Sequence, residues 1–282
     1  ENISKMKMKI ISKIKIGKIQ KESGCDMNVQ LIIPMSGLGV RFAKQGYSDL
    51  KPLINVHGHR MIEWVLRMFP KTRDPLFICR QEHLDDTEMR RILEAAKPDG
   101  NIVGIKSLNL GPVGALTSAF DHIDDDAPVV VSYCDVYMLW DYPAFLRLVE
   151  EQEYDGAIPC YTGFHPNLLP EDNLYASCRV NNADELLEIR EKFSFEADKT
   201  KALHSAGVYY FKSGKLLKHY CCKLVESGEA LGGEYYVSLV YSRMIADGLR
   251  VGVPANVPLS PNKTPSKRSM VLFMLTDLPI KK

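Results

Sequence analysis

Residues 29–34 read Val-Gln-Leu-Ile-Ile-Pro, apolar at nearly every place. So short a run without alternation predicts a strand covered on both faces, since a half-exposed strand carries polar residues at every second position. It empties into a glycine-containing loop. Over 61–69 the apolar residues Met61, Ile62, Val65, Leu66 and Phe69 recur at three- and four-residue steps, the spacing that lines one side of a helix. A second buried strand is predicted over 75–79. The alternation continues with a helix over 85–96, a strand over 102–105, a helix over 114–123, a strand over 128–134 and a helix over 142–151. Strands taking turns with helices predict an α/β fold: a Rossmann-like, three-layer arrangement around a mixed, mostly parallel sheet.

Beyond residue 155 the pattern loosens. Extended pieces over 175–180, 186–190 and 205–211 predict a partly antiparallel region closing over a ligand cleft, and helical spacing returns over 214–225 and 234–245. Both ends differ from this middle. Residues 1–26 alternate Lys with Met or Ile with no partner strand in view, and read as a disordered basic extension ahead of a folded unit that starts at Met27. Residues 251–282 hold five of the sixteen prolines and no periodicity, so no element is predicted there and the stretch reads as an atypical tail. One folded domain over 27–250 remains.

A chain of 282 residues with 45% hydrophobic and 25% charged positions can bury one large core or two small ones. No apolar run reaches the ~18 residues a membrane helix needs, and no secretory apolar stretch opens the chain, so a soluble, cytoplasmic protein is expected. The seven cysteines fit that compartment, being scattered without a C-x-x-C pair. The adjacent Cys221 and Cys222 read as core packing rather than a metal or redox site. Charge is uneven: residues 1–26 and 251–282 each carry +4, and removing both from the formal +1 leaves 27–250 at −7. A negative core argues against nucleic acid as a partner, because a surface that tracks phosphates needs positive charge. The basic extension lacks the Trp or Phe anchors of a membrane-surface segment, so no membrane partner is expected.

The most informative stretch is Pro34-Met35-Ser36-Gly37-Leu38-Gly39-Val40-Arg41-Phe42, followed by Lys51-Pro52-Leu53. A glycine turn leaving a buried strand exposes backbone N–H groups that can hold phosphate oxygens. Arg41 adds a planar fork suited to a pyrophosphate, and Lys51 a compact charge suited to the phosphorus under attack. A dinucleotide fingerprint is excluded, since Phe42 stands where G-x-G-x-x-G needs its third glycine. A Walker loop is absent too. A second constellation is the apolar run 128–134 ending in Asp135, a carboxylate where open α/β sheets bind ligands, or else the N-cap of a following helix.

These motifs resemble the sugar-phosphate nucleotidylyltransferases, the nucleoside-diphosphate-sugar pyrophosphorylases, especially their branch in capsule and surface-polysaccharide biosynthesis. In that family the first strand opens into G-x-G-x-R, then K-P-L and V-x-G-x-x-[ML]-I, and here Lys51 to Ile62 continue the match. The resemblance implies a GT-A-like nucleotidyltransferase fold over 27–250, with Gly37, Gly39, Arg41 and Lys51 around a nucleoside triphosphate. It makes Asp135 the magnesium-binding acid, with Mg²⁺ as cofactor. Gly114, in Gly111-Pro112-Val113-Gly114-Ala115, would lie beneath the base. Lys192 would meet the acceptor's phosphate, Glu191 one of its hydroxyls, and Gly207 would admit the acceptor's ring. Glu234-Tyr235-Tyr236 is similar to the family's E-Y-Y helix, read as structural. One departure stands out: the second magnesium-binding aspartate that relatives carry shortly after the position of Gly252 is missing.

The implied activity is transfer of a nucleoside monophosphate from a triphosphate to a sugar 1-phosphate or similar phosphorylated small molecule, with release of pyrophosphate. Two alternatives stay open. A glycosyltransferase would use the same strand-end acid but usually shows D-x-D, where here Tyr137 stands two after Asp135. A regulatory relative would bind nucleotide without turnover. Base, acceptor and assembly into a homo-oligomer are not decided by the sequence.

Overall fold

β1 (Gln30–Met35) is buried from Leu31 onward and forms the middle of a seven-stranded sheet. A computed structural model of the chain describes residues 28–44, 46–106, 109–165, 168 and 173–254 and the backbone of 271–274, with the side chains of Arg41 and Lys44 outside that description. The sheet comprises β4 (Leu76–Arg80), β5 (Asn101–Ile105), β6 (Val129–Ser132), β8 (Gly156–Ala157), β13 (Val208–Phe211) and β14 (Val251–Gly252), in the order β14-β8-β13-β6-β1-β4-β5. β1 runs parallel to β4 and β6, and β4 to β5; β13 alone is reversed, antiparallel to β6 and β8. The sheet is therefore mixed and mostly parallel, as the alternation of strands and helices requires.

Successive residues of a strand face opposite sides, and the two faces of β1 lead into separate cores. Leu31, Ile33 and Met35 pack with α2 (Met61–Arg67), α4 (Met89–Ala96) and α6 (Tyr142–Glu151). Ile32 packs on the other side with α5 (Gly111–Thr117), α7 (Gly214–Ser227) and α8 (Val237–Ala246). Three layers result. A smaller antiparallel sheet, ordered β11-β10-β12-β9, is built from β9 (Cys160–Tyr161), β10 (Ser177–Val180), β11 (Leu186–Arg190) and β12 (Leu203–Ser205). The loop after β1 carries a short helix α1 (Val40–Lys44) and a hairpin of β2 (Asn55–Val56) and β3 (His59–Arg60).

Several boundaries differ from the sequence reading, each for a local reason. The helix expected over 85–96 is two, α3 (Gln81–Asp86) and α4, because the Thr87 hydroxyl donates to the His83 carbonyl and accepts the Met89 amide. The extended stretch over 205–211 is broken by Gly207 at φ +74°, which sends Ser205 into the small sheet and Val208 into the large one. α5 starts at Gly111 because Pro112 suits a first turn. α8 starts only at Val237, since the Tyr235 amide donates to Leu110 and its carbonyl accepts from Val113, holding Glu234–Tyr236 outside the helix.

The stretch 251–282 is not without structure. β14 joins the edge of the large sheet, and β15 (Val271–Met274) pairs antiparallel with β7 (Val136–Leu139). Both are placed by distant partners, which no local pattern announces. Cys221 is buried but Cys222 is exposed, so core packing holds for the first alone: neighbouring side chains on a helix diverge. Residues 1–26 lie outside the described residues. Among those described, no helix is long and apolar enough to cross a membrane.

Candidate active site

The C-terminal ends of β1, β4 and β6 lie side by side, and β1 and β6 lead directly into the expected residues. From β1 the chain turns through Ser36 to Gly39, where φ is +63°. A Cβ at Gly39 would stand 3.4 Å from the Lys51 Cβ, so the loop rests against that lysine. From β6 the chain reaches Asp135, whose Oδ2 lies 2.7 Å from Lys51 Nζ, with 28% of the lysine and 13% of the aspartate side chain exposed. The N-cap alternative for Asp135 falls away, because β7 follows it directly and α6 is capped instead by Asp141, which accepts the Ala144 amide.

The expected residues are thus brought together in part. Gly37, Gly39, Lys51 and Asp135 share one corner. Arg41 stands on α1 just past the loop, its side chain outside the described residues. Gly207 joins from β13's side: its carbonyl accepts the Tyr133 amide at 3.0 Å, and a Cβ there would meet Val136 at 2.9 Å. Gly114 is buried, and the space its side chain would take is held by Leu110 at 2.6 Å. Gly111 is the glycine of that turn with positive φ, +76°, lying against Glu234 and Tyr235.

Glu191 and Lys192 follow β11 and differ in exposure, Glu191 being the more buried. Lys192 is exposed at φ +53°, its Nζ 5.2 Å from the centre of the Tyr236 ring. Glu191 accepts a hydrogen bond from the Ser238 hydroxyl, and burial raises its carboxyl above the ordinary 4.5 despite that bond and Lys192. Glu234 adds to the rise. A raised acid favours its protonated form in the fold, so its contribution to stability is full below pH 4.5 and is lost as pH climbs through the folded value. Replacing Glu191 by Gln should therefore raise the thermal midpoint by a few degrees at about pH 8 and bring no gain near pH 4. Thermal melts across that range decide it; a difference that stays flat with pH would count against the buried-acid assignment.

The thiol of Cys134, next to Asp135, is pushed up to about 11 by burial, which keeps it protonated and a poor nucleophile. Nothing here prepares a covalent intermediate on that cysteine. Among the described residues no three or more His, Cys, Asp or Glu side chains cluster as a metal cage. The single, largely buried carboxylate of Asp135 nonetheless suits magnesium, which takes one or two carboxylates and completes its shell with phosphate oxygens and water. A cavity of about 1050 Å³ lined by Val29, Phe69, Arg73 and Tyr142, among others, opens at the opposite, N-terminal ends of the strands and contains none of these residues.

Sequence reasoning passed over three contributors. Arg80 ends β4 as Asp135 follows β6, and that shared position after a buried run was the available signal. Tyr133 stacks edge-on against Tyr209 at 5.6 Å and accepts the Val237 amide. Glu234-Tyr235, read as part of a structural helix, is instead the segment that grips the Gly111 turn. For Tyr133 the sequence offered no cue, while the E-Y-Y likeness at 234–236 pointed to a helix rather than to this grip.

No curated protein matches the chain in sequence. Solved structures do resemble it. A nucleoside-diphosphate-sugar pyrophosphorylase from Vibrio cholerae superposes with a TM-score of 0.62 at 20% identity, over 79% of this chain and 91% of that one. An inositol-1-phosphate CTP transferase from T. maritima gives 0.61 at 15%, over 82% and 86%. At such identities the likeness speaks for the fold. Residues 31–199, more than half of the chain, match the sequence model of the MobA-like NTP transferase domain. The chain belongs to the MobA-like NTP transferase family and is a nucleotidyltransferase.

Proposed function

We propose that this nucleotidyltransferase moves a nucleoside monophosphate from a triphosphate onto a sugar 1-phosphate or a similar phosphorylated polyol, releasing pyrophosphate. The observation that carries the reading is the meeting of Lys51 and Asp135, 2.7 Å apart, beside the glycine loop and at the strand ends. An ammonium and a carboxylate held there suit a triphosphate, the first for its oxygens and the second for the cation that accompanies it. The similar structures from Vibrio cholerae and T. maritima, named for a nucleoside-diphosphate sugar and an inositol phosphate, support an acceptor of that class.

An oxygen of the acceptor's phosphate attacks the α-phosphorus, a new P–O bond forms, and the bond to the β-phosphate breaks as pyrophosphate leaves. The acceptor is already a nucleophile, so positioning and charge neutralisation carry the rate. Lys51 neutralises charge at the α-phosphate, the Gly37 and Gly39 backbone lies along the phosphates, and Arg41 holds the departing pyrophosphate. Gly114 lies under the base through α5. On the acceptor side, Lys192 takes the phosphate and Glu191 a hydroxyl; the ring does not fill the place of a Gly207 side chain, because Val136 and Tyr133 already occupy it. Asp135 would hold Mg²⁺ together with phosphate oxygens, an ion that offsets negative charge there. The catalytic domain in this reading runs past the expected end at 250 to include β14.

The test is a matrix of the common nucleoside triphosphates against hexose 1-phosphates, inositol phosphates and phosphorylated amino alcohols, scored by magnesium-dependent pyrophosphate release. Release that needs both substrates is expected for at least one pair. Silence across the matrix despite tight triphosphate binding, or sugar transfer without pyrophosphate, would reject it.

A further inference from the structure

Arg80 closes β4 with only 9% of its surface exposed, and its guanidinium spans two loops. Nε donates to the Ser36 carbonyl at 3.1 Å, Nη2 to Asn109 Oδ1 at 3.3 Å, and Nη1 to Glu82 Oε2 at 3.3 Å. Ser36 belongs to the glycine loop. Asn109, at φ +54°, comes just before Leu110 and Gly111, the turn that Glu234-Tyr235 grips.

We infer that Arg80 is a positioning residue for the nucleoside triphosphate: it sets the direction of the Gly37 amide and ties the glycine loop to the Asn109–Gly111 turn. This rests on the proposed function. A peptide unit is planar and trans, and the described backbone has no cis bond, so the Ser36 carbonyl and the Gly37 N–H leave opposite edges of one plane. With the carbonyl drawn onto the guanidinium, the N–H is turned away from Arg80. Gly37 is exposed, and nothing lies within 4 Å of where its Cβ would stand, so space for a phosphate oxygen is open beside it. The charge that grips the carbonyl also polarises the peptide and strengthens the donor on its far edge. A planar fork is needed, since one ammonium cannot reach two acceptors on separate loops in fixed directions.

The test uses the full chain, magnesium, and the triphosphate and acceptor pair that releases most pyrophosphate in the matrix above. Arg80→Gln should raise the KM for the triphosphate about tenfold or more while the acceptor's KM stays within about twofold, with Arg80→Lys in between. Asn109→Ala removes the acceptor for Arg80 Nη2 and should raise the triphosphate KM about threefold, which keeps the idea testable if Arg80→Gln does not fold. A merely structural role would lower the thermal midpoint and leave the two KM values in step. Folded variants with unchanged triphosphate KM, or with both KM values rising together, overturn the inference while the parent's turnover stands. A parent that binds no triphosphate by titration calorimetry and releases no pyrophosphate overturns the proposed function and this inference together.

Discussion

Lys51→Ala should lower turnover by about 10²–10³-fold, the range seen when a preorganised donor is removed from a developing anion. The lysine holds its position from two sides, with Gly39 against its β-carbon and Asp135 against its ammonium. In the free protein it pairs with the carboxylate; with a triphosphate present, both groups gain new partners of opposite charge. Only 13% of the Asp135 side chain is exposed, so leaving it without this partner should cost about 1–3 kcal/mol of stability. Turnover is therefore compared well below the variant's melting midpoint. Single-turnover pyrophosphate release alongside a thermal melt provides the check, and a folded Lys51→Ala enzyme with turnover near the parent's would remove Lys51 from the chemistry. Adding Asp135→Asn should cost less than the product of the two single effects, because the groups serve one set of phosphates.

Gly111→Ala should destabilise the fold by about 2–4 kcal/mol, through a strained backbone and a collision at once. At φ +76° an L residue is disfavoured, and the added Cβ would lie 2.9 Å from Glu234 Cβ, 3.1 Å from the Tyr235 nitrogen and 3.2 Å from the Tyr235 carbonyl oxygen. Two of these neighbouring atoms are main chain, which cannot rotate aside. The hydrogen bonds from Tyr235 to Leu110 and from Val113 to Tyr235 would have to lengthen. Denaturant unfolding measures the loss. The contrasting variant is Gly58→Ala, where φ is +85° but nothing stands within 4 Å, so backbone strain acts alone. Equal losses in the two would show that the grip of Glu234-Tyr235 contributes nothing.

Much of the fold was legible because most strands of the large sheet are short, buried apolar runs while the helices carry one apolar side over a longer stretch, so length and periodicity together separated them. The corner of Lys51 and Asp135 was legible for other reasons: Asp135 ends a buried apolar run where such sheets bind ligands, and Lys51 follows the glycine turn in a Lys-Pro-Leu run similar to the family's. What stayed hidden depends on distant partners. β15 has no local signature and takes its place only through β7. Glu234-Tyr235 has helical spacing and helical neighbours, yet its hydrogen bonds go to Leu110 and Val113. The break at Thr87 turned on one hydroxyl, which periodicity does not register.

The reversed strand β13 lies between β6 and β8, and its residues follow the whole small sheet in the chain. Until residues 208–211 return, β6 keeps a bare row of amides and carbonyls along one side. A refolding population stalled at that stage would offer this edge to another molecule, and self-adhesion, rather than loss of any catalytic group, would limit its recovery from denaturant.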